Sequence, residues 1–127
     1  MAARLTVIDA SALGALLFGE SRAEEVAERI GDGRLVAPTL VRYEVASVCL
    51  KKITRRPRLR EKLLRALALL DRLDLRELPV SHADVVARAG QTGLTTYDAS
   101  YLWLAESLDA ELITLDEKLH RAFIRPE

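Results

Sequence analysis

Apolar residues follow two rhythms along this chain. Short runs without alternation stand at Leu5-Thr6-Val7-Ile8, at Leu35-Val36-Ala37 and at Glu111-Leu112-Ile113-Thr114-Leu115. Such runs predict strands covered on both faces, as in a parallel sheet. Leu75 to Val80 is a weaker strand candidate, interrupted by Arg76 and Glu77. Phe123-Ile124-Arg125 is a candidate edge strand.

Between these runs the spacing turns helical. Ser11 to about Phe18 reads as a short helix ended by Gly19, and Ser21 caps a second from Arg22 to about Ile30. Thr39 caps a longer helix with Val41, Val45, Val48 and Cys49 on one face. Pro57 breaks the chain before a leucine-dense helix carrying Leu59, Leu63, Ala66, Leu67, Leu70 and Leu73. Ser81 caps a helix from His82 to about Ala89, closed by Gly90. Thr95 or Thr96 caps another from Tyr97 to about Leu108, and a helical turn follows through His120. Strands alternating with helices predict an α/β fold, a parallel sheet with helices on both faces. With 127 residues and no repeat or linker, the expectation is one domain.

Charge changes this picture locally. Lysines plus arginines equal aspartates plus glutamates at 19 each, so no global field steers a partner. From Lys51 to Arg65, however, Glu61 is the sole acid among eight basic residues, including Lys51, Lys52, Arg55 and Arg56. That segment suits a polyanion, and the remainder of the chain is net acidic. Cys49 stands alone in an apolar pattern and reads as a buried thiol. Two separated histidines do not make a zinc site of the usual kind. No signal-peptide core stands at the N-terminus, and no apolar run approaches the ~20 residues of a membrane span. The expectation is a cytoplasmic protein without a membrane segment.

The acids are the candidate chemistry. Asp9 and Asp116 end the first and last main strands. If those strands are neighbours, the winding reverses between them and leaves a crevice at their carboxyl ends. Asp98 lies in the first turn of its helix, where the helix dipole favours an anion. Glu44 sits about 40° outside Val48, at the margin of its helix's buried stripe, on 100° per residue. Singly, each reads as a cap or a boundary acid. Together they repel, by about 4 kcal/mol for two charges 4 Å apart at an effective dielectric near 20. A cation relieves that, and hard oxygen donors select Mg²⁺ or Mn²⁺. Ser11 and Thr114, each two residues from an aspartate, are candidate supports. Such a site activates water against a phosphodiester, and the basic segment would track a nucleic-acid backbone. Tyr101 and Trp103 lie inside a helix and read as core.

The stretches Val7-Ile8-Asp9-Ala10-Ser11-Ala12, Tyr43-Glu44-Val45, Leu94-Thr95-Thr96-Tyr97-Asp98-Ala99-Ser100-Tyr101-Leu102 and Leu112-Ile113-Thr114-Leu115-Asp116 resemble PIN-domain ribonucleases of the VapC toxin type. The resemblance covers nearly the whole chain, and the third stretch is the most specific. It implies a three-layer α/β/α sandwich with a four- or five-stranded parallel sheet. It also implies Mg²⁺- or Mn²⁺-dependent RNA cleavage at Asp9, Glu44, Asp98 and Asp116, supported by Ser11 and Thr114. A homodimer and a cognate antitoxin are the implied partners. The basic segment lies outside the family's motifs, so its assignment to RNA rests on charge alone.

Two other readings stay open at this stage. A haloacid-dehalogenase-like phosphatase would use Asp9 as nucleophile, but it wants a second acid where Ser11 stands. A non-catalytic module would bind RNA or protein through the leucine-rich helix and the basic segment.

Overall fold

The computed structural model describes residues 4–124. The chain runs β1 (Leu5–Ile8), α1 (Ala10–Leu17), α2 (Ala23–Ile30), β2 (Arg34–Pro38), α3 (Val41–Arg55), α4 (Arg60–Ala68), β3 (Leu75–Leu78), α5 (His82–Thr92), α6 (Thr96–Leu108), β4 (Glu111–Ile113) and α7 (Glu117–Ile124). The sheet order is β3-β2-β1-β4, and every pair is parallel. Val7 pairs with Val36 on one side and Leu112 on the other. The chain therefore winds outward from β1 through β2 to β3, then returns to the far side of β1. The reversal expected between the first and last main strands is present. It places the carboxyl ends of β1 and β4 side by side.

The non-alternating runs are explained by cover on both faces. Val7, Ile8, Val36, Ala37, Leu112 and Ile113 are all buried. The helices form two groups by contact: α1 packs on α2 and α3, and α3 on α4. On the other face α6 lies against β1, β2 and β4 and packs with α5 and α7. Helices α3 and α6 both start at the carboxyl edge of the sheet, because each runs antiparallel to the strands around it. Arg29 of α2 donates to the carbonyl oxygens of Leu112 at 3.2 Å and Thr114 at 3.5 Å. That covers main-chain acceptors on the edge strand, where unpaired backbone invites association.

Several expected boundaries shift. The sheet has four strands among the described residues, because Phe123 and Ile124 belong to α7; Arg125 lies outside them. Helix period wins there, since Leu119, Ala122 and Phe123 pack inward together. Helix α5 passes through Gly90 and ends at Gly93, whose φ of 76° supplies the left-handed turn. Neither Ser21 nor Thr39 caps a helix: Arg22 and Leu40 hold those positions without a side-chain bond. The leucine-dense segment is not one helix, since 3₁₀ turns at Pro57–Leu59 and Leu69–Arg72 flank α4. Leu63 and Leu70 are buried, whereas Leu64 and Leu69 face outward.

Candidate active site

Asp9 follows β1 directly and caps α1. Its amide donates to the Ile113 carbonyl at 3.1 Å, which continues the β1–β4 pairing to the acid itself. Oδ1 accepts the Ala12 amide at 3.0 Å and the Ser11 hydroxyl at 2.7 Å. Oδ2 accepts the Thr114 hydroxyl. Capping and a role at the strand end are thus one geometry rather than two alternatives. The residue is 4% exposed. Burial pushes its pKa above 3.8; the Thr114, Ala12 and Ser11 bonds oppose the rise, and the charge of Asp98 adds to it.

Ser11 and Thr114 form a polar bridge between the two strand ends. Ser11 Oγ donates to Asp9 and accepts the Leu115 amide at 3.0 Å. Thr114 Oγ1 donates to Asp9 and accepts the Asp116 amide at 3.0 Å. A hydroxyl has one hydrogen and two acceptor positions, so each uses its hydrogen on Asp9 and a lone pair on the loop after β4. Asp116 in turn accepts the Leu119 amide on Oδ1 at 2.9 Å, starting α7.

Asp98 stands in the first turn of α6, and its amide donates to Thr95 Oγ1 at 3.1 Å. Burial raises its pKa, with the charge of Asp116 adding; the Thr95 bond and the cation Lys118 act the other way. Lys118 is held beside this end of α6 by donating to the Gly93 carbonyl at 2.8 Å. Glu44 arrives from the first turn of α3, and its Oε1 accepts the Tyr101 hydroxyl at 2.6 Å. Burial raises its pKa, the Tyr101 bond lowers it, and the charges of Asp98 and Asp9 raise it again. Negative charge from a neighbouring acid thus adds to the rise at three of the expected residues: Asp98 acts on Asp9, Asp98 and Asp9 on Glu44, and Asp116 on Asp98.

They do not form a closed cage. Among the described residues, no three Asp, Glu, His or Cys side chains are gathered so as to hold a metal ion as they stand. The donor set itself is all oxygen and mutually repulsive, which fits a hard divalent cation. Holding one there takes direct bonds from some acids and retained water on the others. Beside Asp116 an open hollow of about 500 Å³ runs past Thr114 to Arg22, Arg29 and His120.

The basic segment lies elsewhere. Lys51, Lys52 and Arg55 occupy the last turns of α3, and Arg56 follows it. At 1.5 Å per residue, Arg55 is roughly 16 Å along the axis from Glu44. Lys52 is ion-paired with Glu20 and stands 5.7 Å from the centre of the Phe18 ring. Arg55 and Arg56 line a hollow with Phe18, Leu59 and Leu63 at that far end. Two residues at the acid site had no sequence assignment there: Tyr101 and Lys118. Tyr101 carried one signal, since it lies three residues after Asp98 and so on the same helix face. Lys118 carried none.

A parallel α/β sheet with Asp9 and Asp116 following the neighbouring strands β1 and β4 defines the class to which comparison leads. The model of the PIN domain family matches residues 6–123. Ribonuclease VapC3 of Pyrobaculum aerophilum is 38% identical over 125 residues, covering 92% of this chain and 93% of the relative. Ribonuclease VapC9 of Mycobacterium tuberculosis is 36% identical over 116 residues, covering 91% and 88%. The crystal structure of PAE2754 from Pyrobaculum aerophilum superposes with a TM-score of 0.72 at 28% identity, over 91% of this chain and 82% of that one. The chain belongs to the PIN domain family, among the VapC ribonucleases.

Proposed function

We propose that this chain is a divalent-metal-dependent endoribonuclease and the toxin of a type II toxin–antitoxin pair, acting as one PIN domain. The observation carrying the proposal is the Thr114 bridge between Asp9 and the Asp116 amide beside the reversal of the sheet's winding, with Glu44 and Asp98 on the first turns of α3 and α6. The kinship with VapC ribonucleases supports the same reading.

In this reading the four acids hold Mg²⁺ or Mn²⁺, two directly and the others through water. When bound, the cation lowers the pKa of a water and neutralises charge developing on the phosphodiester. Asp9 is kept oriented by Ser11, Ala12 and Thr114. Asp98 uses the α6 N-terminus to remain an anion. The hollow beside Asp116, with Arg22 and Arg29 on its wall, gives room for RNA flanking the cut. In this reading water is the nucleophile, and Ser11, which donates to Asp9 at 2.7 Å, supports that acid. Among the described residues no helix is long and apolar enough to cross a membrane. The cognate antitoxin, a homodimer and a cytoplasmic location complete the proposal. Outward-facing Leu64 and Leu69 on and after α4 support a protein partner.

The test is cleavage of total RNA by purified protein in Mg²⁺ or Mn²⁺, against EDTA, with wild type, Asp9→Asn and Asp98→Asn. Both variants should fold, by circular dichroism, and fail to cleave. Retained cleavage in both would remove the acids from the reaction. RNA binding without metal-dependent turnover would make the chain a binding module.

A further inference from the structure

The geometry points to Tyr101 as the positioning residue that fixes Glu44 for the cation, a role resting on the cation-binding reading above. Tyr101 is 1% exposed, and its ring belongs to the core. A buried tyrosine hydroxyl requires a partner, and here it donates to Glu44 Oε1 at 2.6 Å. That length is typical of a hydroxyl bonded to a carboxylate, among the stronger hydrogen bonds. A carboxylate oxygen only accepts, so in this bond the Tyr101 hydroxyl is the donor.

The placement matters more than the bond itself. Asp98 and Tyr101 lie three residues apart on α6, one turn along the same face. That face therefore offers a carboxylate and, beneath it, a donor for a second carboxylate. Glu44 comes from α3, in the opposite helical layer. The bond thus joins the two layers over the carboxyl edge of the sheet, beside Asp9. Without it, Glu44 has three free torsions and two nearby acids that repel it. Ordering such a side chain costs rotamer entropy. Tyr101 meets that cost in the folded protein before any cation arrives. It occupies Oε1 and leaves Oε2 for the cation or its water.

A bland alternative exists: Glu44 merely satisfies a core hydroxyl. The two are separated by Mn²⁺ titration calorimetry on wild type, Tyr101→Phe, Glu44→Ala, the double variant and Asp9→Asn. Tyr101→Phe keeps the ring and should weaken Mn²⁺ binding about tenfold, the low end for a hydrogen bond to a charged group. It should add nothing in the Glu44→Ala background. Wild-type affinity in folded Tyr101→Phe, with binding lost in Asp9→Asn, would overturn the inference and leave the cation reading intact. Equal weakening in both backgrounds would mean that Tyr101 acts through packing, which also overturns it. Unchanged Mn²⁺ affinity in Asp9→Asn would instead sink the cation reading. If Tyr101→Phe does not fold, Glu44→Asp, one methylene too short for the hydroxyl, should show the same weakening. Wild-type affinity in Glu44→Asp would overturn the anchor.

Discussion

Thr114 donates its hydroxyl hydrogen to Oδ2 of Asp9 across 105 positions of the chain. Thr114 Oγ1 in turn accepts the Asp116 amide. One side chain therefore ties the acid after β1 to the acid after β4. Thr114→Val removes the oxygen at nearly constant volume and leaves both partners short of a bond. Unfolding in urea should show a loss of about 1–3 kcal/mol, the cost of stranding a buried polar group. Thr114→Ser should recover most of it. A Thr114→Val protein as stable as wild type would show that the bridge contributes nothing.

The buried acids set a sign for pH. Asp9 and Asp98 are raised above 3.8 and Glu44 above 4.5, each chiefly by burial. Between the ordinary and the raised values the folded state holds protons that the unfolded state has released. Stability from these groups therefore falls as pH rises through that window, and the penalty is complete above the raised values. Glu25, lowered by Arg22, has the opposite sign, so the comparison must be differential. In EDTA, Asp9→Asn should gain stability on wild type as pH climbs from the ordinary carboxyl range to neutrality. Millimolar Mg²⁺ should shrink that gain by stabilising wild type. Parallel pH profiles in urea titrations would remove Asp9 as a source of the strain.

Some of this was readable in advance, and the failures have physical causes. The runs before Asp9 and Asp116 announce strands because they lack alternation, and strand pairing then fixes the crevice. Asp98 is legible because Thr95 and the helix start are local. Tyr101 was legible as core, since periodicity reports where a ring goes. It cannot report that the hydroxyl meets Glu44, 57 residues away. Gly90 misled because a glycine inside a helix and one ending it look alike in sequence. The decision lies with Gly93, the one that takes the left-handed conformation. Ser21 and Thr39 misled likewise: the right residue type does not guarantee the cap geometry.

Gly33 is a steric requirement at the entry to β2. A Cβ there would stand 2.5 Å from Thr6 Oγ1 and 3.0 Å from the Ile30 carbonyl oxygen. Thr6 is fully buried in β1, so its side chain has no room to retreat. Gly33→Ala should cost about 1–3 kcal/mol, as overpacking does. Calorimetric melting reads this directly. Because Thr6 Oγ1 is buried without a hydrogen-bond partner, Thr6→Ala should relieve part of the clash in the double variant. Additive losses from the two substitutions would show that they do not meet.

Under the proposed function, Lys51, Arg55 and Arg56 are expected to bear on substrate length rather than on the cut itself. They stand at the end of α3 remote from Glu44, and Lys52 is already engaged by Glu20. On that proposal a short oligonucleotide seated at the acids would stop short of them, and a long RNA would extend to them. Replacing all three by Gln should leave cleavage of the short substrate unchanged. Binding of long RNA should weaken, and its log–log salt slope should flatten by about 2, at ~0.7 per phosphate contact on a single strand. Filter binding between 50 and 200 mM salt, a range in which phosphate contacts dominate the change, measures the slope. An unchanged slope would take RNA away from this segment and leave its charge to a protein partner.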